Sequence, residues 1–171
     1  EEVVDRWNNG PAIIRPAVSS GSRGMARFDT MNGMRRAQFD SAREFSTTGK
    51  VCIEEYIGGT DLSVEGYVIG GSVRLAFVTQ KHVEGFAVVG HDLPGQLPLR
   101  TRERAVASVQ QVVTAIGYGH GPFDADLRAD GERCVVLEMT PRLGGNAVPL
   151  LVEHAFGVPL IELALREAMG E

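Results

Sequence analysis

Apolar and polar positions alternate with a period of two over residues 62–69 and again over residues 72–80, and Gly70-Gly71 stands between the runs. That pattern predicts an antiparallel hairpin with one buried face. Residues 101–116 carry a different stripe: Ala105, Val106, Val109, Val112, Val113 and Ile116 recur at the helical period, and Gly117 suits the end of a core-packing helix. A short apolar run over residues 12–17 predicts a strand, and residues 50–57 predict another, stopped by Gly58-Gly59. Within the latter, Glu54 and Glu55 put one carboxylate on each face, so at least one is expected to point inward. Thr30 is read as the N-cap of a helix over residues 30–46, with Met31, Met34, Ala42 and Phe45 as its apolar face. Residues 81–95 read as an irregular glycine-rich loop around Phe86-Ala87-Val88-Val89. Asp130-Gly131 signals a second hairpin, and residues 147–156 and 158–169 read as two helices, with Pro159 near the start of the second. Antiparallel sheet with helices packed on it is an α+β fold and not a doubly wound one.

The composition narrows the function classes. With 171 residues, 43% hydrophobic and 23% charged, the chain can bury a real core, as one domain or as two small subdomains. A formal charge of -5 argues against a nucleic-acid partner, which a basic surface normally announces. No run approaches the ~18 apolar residues of a membrane span, and the opening Glu-Glu-Val-Val-Asp does not resemble a signal peptide, so a soluble cytoplasmic protein without a membrane partner is expected. Cys52 and Cys134 sit in apolar strand-like runs without a second cysteine or histidine at metal spacing, and read as reduced thiols.

Three stretches carry candidate chemistry. Folding back at Asp130-Gly131 brings Asp124 and Asp126, which share a strand face, towards Glu138 on the returning strand. Converging carboxylates repel unless neutralised, and Mg²⁺ is a hard ion held by one or two carboxylates together with phosphates. Taken alone, the stretch fits a solvated acidic hairpin as well as a metal site. The loop Val18-Ser19-Ser20-Gly21-Ser22-Arg23-Gly24 follows a strand and offers unhindered N–H groups to phosphate, although it lacks the Gly-Lys-Ser/Thr ending of a Walker loop; a bare surface turn is the other reading. Arg15 and Arg23 flank it. The run Gly117-Tyr118-Gly119-His120-Gly121 follows a helix and precedes a strand, the reverse of a dinucleotide-binding context.

Ile14-Arg15-Pro16 with Ser19-Ser20-Gly21-Ser22-Arg23-Gly24, then Ile53-Glu54-Glu55-Tyr56-Ile57 to Asp61, then Gly121-Pro122-Phe123-Asp124-Ala125-Asp126, then Leu137-Glu138-Met139-Thr140-Pro141-Arg142-Leu143-Gly144-Gly145-Asn146 together resemble an ATP-grasp enzyme. The branch most like it is that of the dipeptide-forming amino-acid ligases, with biotin carboxylase and D-alanine:D-alanine ligase more distant. The four motifs stand in the family's order and span nearly the whole chain.

The resemblance implies two subdomains, residues 1–57 with the phosphate loop and residues 58–171 with the metal site, and ATP between them. The family's usual N-terminal α/β domain is absent from these residues, so they are expected to be an excerpt of a larger enzyme. A substrate carboxylate would attack the γ-phosphate of ATP, and an amine would then displace phosphate from the acyl phosphate, with ADP released. Glu54, Glu55, Tyr56 and Ile57 would form the adenine-binding connection, Asp61 would take the ribose hydroxyls, and Ser20, Ser22 and Gly24 would close over the phosphates. Arg15 stands where the family commonly has a phosphate-binding lysine. Asp126 and Glu138 would hold one or two Mg²⁺ or Mn²⁺ ions, and Thr140 stands where many members have a further asparagine ligand. Arg142 would stabilise the transferred phosphoryl group. Val89-Gly90-His91 with Pro94 is similar to the ligases' Gly-His segment, which makes His91 a substrate-side residue alongside Lys81, whereas Val88 replaces that branch's acidic residue. The implied partners are small-molecule carboxylates and amines, and a homodimer is compatible with this reading. A carboxylase or formate-activating ligase on the same scaffold, or a nucleotide-binding module without turnover, are the alternatives.

Overall fold

The computed structural model describes residues 10–30 and 33–171. Its elements run β1 (Ala12–Pro16), β2 (Ala26–Phe28), α1 (Arg36–Glu44), β3 (Val51–Glu55), β4 (Thr60–Ile69), β5 (Ser72–Glu84), β6 (Ala87–Asp92), α2 (Leu99–Ile116), β7 (His120–Asp130), β8 (Arg133–Thr140), α3 (Val148–Phe156) and α4 (Leu160–Ala168). They gather into two units. One holds the described residues as far as Ile57 together with Glu84–Ala87; the other holds Gly58–Val83 and Val88–Glu171. Among the described residues no single helix is long and apolar enough to cross a membrane.

In the first unit an antiparallel sheet of order β2-β1-β3 carries α1 over a core of Ala12, Ile14, Phe28 and Ala42. β1 is the central strand, and the alternation of its sequence buries Ala12, Ile14 and Pro16. β3 is an edge strand, so Glu54 and Glu55 both stay exposed, and the expected inward carboxylate does not occur. The helix expected from Thr30 starts later. Thr30 instead accepts a turn bond from the Gly33 N–H (2.9 Å), and Arg35 caps α1 with its own N–H donated to the Gln38 side chain (2.9 Å). Glycine so near a helix start favours such a turn, which moves the first helical residue down to Arg36. Met31, expected on the apolar face, lies outside the described residues.

The second unit is an antiparallel sheet of order β6-β5-β4-β7-β8. α2 lies on one face over Leu62, Val64, Val68, Val78, Phe123, Ala125 and Leu127, with its own Ala105, Val109 and Val113 fully buried. Each large aliphatic side chain buried there contributes roughly 1.5–3 kcal/mol relative to exposure, which is what makes α2 the keel of the unit. Ile116, expected in the same stripe, is exposed because the helix ends there, with Gly117 left-handed at φ 68°. On the other face α3 and α4 bring Val148, Val152 and Leu160 against Leu75, Phe77 and Leu143.

The expected loop over residues 81–95 is mostly a hairpin: β5 continues to Glu84, turns at Gly85 (φ 64°) and returns as β6. β6 is an edge strand whose positions are only half-buried or exposed, so it lacks the apolar alternation that marks a central strand. β7 and β8 pair from Asp130↔Arg133 to Asp124↔Thr140, with a register shift at Asp126/Leu127 that leaves Leu137 out of the ladder.

Candidate active site

The face of the second sheet turned away from α2 carries a polar block. Strand alternation sends Leu62, Val64, Ala125 and Leu127 into the core and their neighbours Asp61, Ser63, Glu65, Asp124, Asp126 and Arg128 to the other side. The register then sets partners side by side: Ser63 opposite Asp126 and Thr79, Glu65 opposite Asp124, Asp126 opposite Glu138, and Asp124 opposite Thr140. Asp126 and Glu138, the two expected metal ligands, are thus direct cross-strand neighbours.

Charge is balanced locally. The Lys81 ammonium sits 2.7 Å from Asp126 Oδ1, with the lysine side chain 9% exposed and the aspartate 42%. Asp124 accepts a bond from Ser63 Oγ (2.9 Å), and its other carboxyl oxygen is 3.8 Å from Arg142 Nη1. Burial raises the Asp124 carboxyl above its ordinary range, and the neighbouring Asp126 charge adds to the effect. His91 Nδ1 lies 2.9 Å from the Thr79 hydroxyl. Burial, reinforced by the Lys81 charge, lowers the imidazole's pKa, so it is neutral near pH 7. Its Nε2 is buried without a hydrogen-bond partner among the described residues. Asp61, expected at the ribose, is held in a fork by Arg128 at 2.8 and 3.1 Å.

Among the described residues no three His, Cys, Asp or Glu side chains converge closely enough to enclose a metal ion by themselves. Two opposed carboxylates nevertheless fit a hard cation that shares its coordination with phosphate, for which one or two protein carboxylates suffice.

In the first unit, Arg15 forms an ion pair with Glu54 through two contacts, Nε to Oε2 and Nη2 to Oε1, the latter at 3.0 Å. The Arg27 guanidinium stacks 4.2 Å from the centroid of the Tyr56 ring, the ring expected beside adenine. The glycine-rich loop exposes Ser20 and Ser22, and its backbone turns through positive φ at Gly21 (71°), Ser22 (56°) and Gly24 (69°). Turns that mix left- and right-handed residues in this way aim successive N–H groups at one point. Gly24 is packed tightly: a Cβ there would lie 2.9 Å from Phe45 Cδ2 and 3.1 Å from the Ser41 carbonyl oxygen.

Residues 8–149 match the ATP-grasp domain. The chain belongs to the ATP-grasp family. Uncharacterized protein y4rH of Sinorhizobium fredii is 32% identical over 165 residues, covering 94% of this chain and 34% of that protein. The formate-dependent phosphoribosylglycinamide formyltransferase of Methylococcus capsulatus is 29% identical over 169 residues, covering 94% and 41%. Among solved structures, an L-amino acid ligase from Bacillus licheniformis superposes with a TM-score of 0.75 at 24% identity, covering 95% of this chain and 40% of that one. A biotin carboxylase complex from Campylobacter jejuni gives 0.78 at 22%, covering 94% and 37%. At these identities the superpositions speak for the fold, and they bear out the expected α+β ATP-grasp architecture. The chain spans 34% and 41% of the length of those two curated relatives.

The ATP-grasp motifs led past three residues of the polar block: Ser63, Glu65 and Thr79. All three are buried. The signal for Glu65 was available, since a glutamate inside the apolar alternation of residues 62–69 must either face solvent or find a partner in the interior. The partner itself, 79 residues away at Gly144, left no local trace.

Proposed function

We propose that this chain is the nucleotide- and metal-handling part of an ATP-dependent, ADP-forming carboxylate–amine ligase that works through an acyl phosphate. The observation that carries the reading is the pairing of Asp126 with Glu138 across β7 and β8, with Lys81 bonded to Asp126 and Arg142 four residues beyond Glu138.

In this reading Asp126 and Glu138 hold Mg²⁺ or Mn²⁺, which supplies neutralisation of the phosphate charge during in-line transfer. Arg142 stabilises the phosphoryl oxygens as a substrate carboxylate oxygen bonds to the γ-phosphorus and the bond to ADP breaks. The amine nitrogen then bonds to the acyl carbon, the acyl C–O bond to phosphate breaks, and phosphate leaves with the amine's proton released. Lys81 balances the charge of Asp126, and neutral His91 faces the substrates. The first unit serves the nucleotide through its loop, Ser20, Ser22 and Gly24, and through Arg15, while Glu54, Glu55, Tyr56 and Ile57 read adenine and Asp61 binds the ribose. Carnosine synthase of Gallus gallus, 27% identical over 119 residues, supports an amino-acid substrate. The 29% identical formyltransferase supports formate activation as the second reading.

The test is ADP release by the full-length protein with Mg-ATP and a panel of amino-acid pairs and formate, with products identified by mass. An amide or dipeptide formed with one ADP per bond is the expected result. AMP release would overturn it, and formyl transfer without any amino acid would overturn the amino-acid substrate in favour of the second reading.

A further inference from the structure

Glu65 is the one acidic or basic side chain with no exposed surface among the described residues. A charge placed there is unfavourable, and a leucine of similar volume would avoid that cost. The carboxyl group is committed to a single partner: both of its oxygens accept from the Gly144 backbone N–H, at 2.8 and 3.1 Å. A side chain at Gly144 would have to displace that carboxylate, because a Cβ would lie 2.3 Å from Glu65 Oε2 and 3.1 Å from Asp124 Cγ.

Gly144 is two residues beyond Arg142, next to Leu143, which packs against Val148, Val152 and Leu160. Arg142 is 60% exposed and donates to the carbonyl of its own neighbour Leu143 (2.8 Å). Beyond Gly144, Asn146 and Ala147 take left-handed backbone at φ 53° and 57°, so the segment does not settle into a regular turn. Two carboxylates on adjacent strands therefore hold one loop. Glu65 takes its backbone at Gly144, and Asp124, its register partner, faces the guanidinium of Arg142 at 3.8 Å while Ser63 fixes its other oxygen.

We propose that Glu65 is a positioning residue: by clamping the Gly144 N–H it sets Arg142 above the Asp124–Asp126 edge of the sheet. The proposal rests on the ligase reading, in which Arg142 meets the transferred phosphoryl group. Glu65 touches no substrate and acts through the loop.

The full-length protein carrying Glu65→Leu is the direct test. The expected loss is about 30- to 100-fold in kcat with KM for ATP changed less than about 3-fold, and Glu65→Gln, which keeps one acceptor for Gly144, recovers most of it. In an Arg142→Ala background Glu65→Leu should lower kcat by no more than about 2-fold further, because both changes remove the same contribution. Gly144→Ala, whose Cβ would meet Glu65 Oε2 and so break the clamp without removing the carboxylate, should lose kcat as Glu65→Leu does and serves where the leucine variant fails to fold. Wild-type kcat in Glu65→Leu or in Gly144→Ala, or losses that multiply in the double variant, would overturn the proposal. Amide exchange separates it from the ligase reading. If the wild-type protein releases no ADP with any substrate, that reading fails, and the clamp is then decided by whether the Gly144 amide exchanges at least about 10-fold faster in Glu65→Leu; unchanged exchange overturns it.

Discussion

The ammonium of Lys81 sits 2.7 Å from a carboxylate oxygen of Asp126, so one of the two carboxylates proposed to bind the cation already has a positive partner. Lysine and divalent metal would compete for the same oxygen. The Lys81→Met variant is therefore expected to bind Mn²⁺ more tightly in the absence of nucleotide, by about 5-fold if roughly 1 kcal/mol of competing attraction is removed. Calorimetric titration would measure it, and an unchanged affinity would show that the ammonium does not compete.

Glu138 is exposed on β8. Glu138→Gln keeps its shape, so thermal unfolding should shift by no more than ~0.5 kcal/mol, while Mg-ATP-dependent ADP release should fall by about 100-fold or more. Retained turnover would remove Glu138 from the metal site.

Glu65 gives the fold a pH dependence of definite sign. Burial, with the Asp124 charge adding to it and the Gly144 N–H and Arg142 opposing it, raises its carboxyl from 4.5 to about 7. The folded state thus holds this proton more tightly than the unfolded chain. Its contribution to stability is complete below pH 4.5 and is lost as pH rises towards about 7, by on the order of 3 kcal/mol. Denaturant unfolding between pH 4.5 and 8 should show that decline, flattened in Glu65→Gln. Asp124 is shifted in the same direction and is present in both proteins, so the difference between the two slopes reports Glu65. Parallel slopes would contradict the assignment.

Asp61 and Arg128 form a two-pronged pair with the arginine largely buried. Asp61→Asn should destabilise the protein by about 1–3 kcal/mol. If Asp61 also receives the ribose, KM for ATP should rise about 10-fold with kcat little changed. A thermal shift with KM unaltered would leave Asp61 a purely structural residue.

Legibility followed the physical origin of each feature. The β4–β5 hairpin and α2 were readable because their periodicities bury one face, and the ATP-grasp resemblance was readable because its four motifs are contiguous runs that stand in the family's order along the chain. β6 was missed since an edge strand needs no apolar alternation, and the start of α1 was misplaced since Gly33 and the Arg35–Gln38 cap outweighed Thr30. Glu65 and Thr79 went unseen for a different reason. Each is defined by a partner brought close by sheet register, Gly144 for one and His91 for the other, and only Thr79 finds its partner within a dozen residues.

The residue left out of the β7–β8 ladder decides which side of the sheet the chemistry is on. Val136 stands opposite Leu127 and packs towards α2, and an unbroken strand would send Glu138, two residues on, to that same apolar side. Leu137 interrupts the count, so Glu138 and Thr140 emerge beside Asp126 and Asp124 while Met139 goes into the core. Shortening the chain by this one leucine would therefore leave inside and outside of β8 as they are. Drawing Leu137 into the ladder would exchange them along the rest of the strand, driving a carboxylate into the hydrophobic layer and presenting a methionine to the polar face.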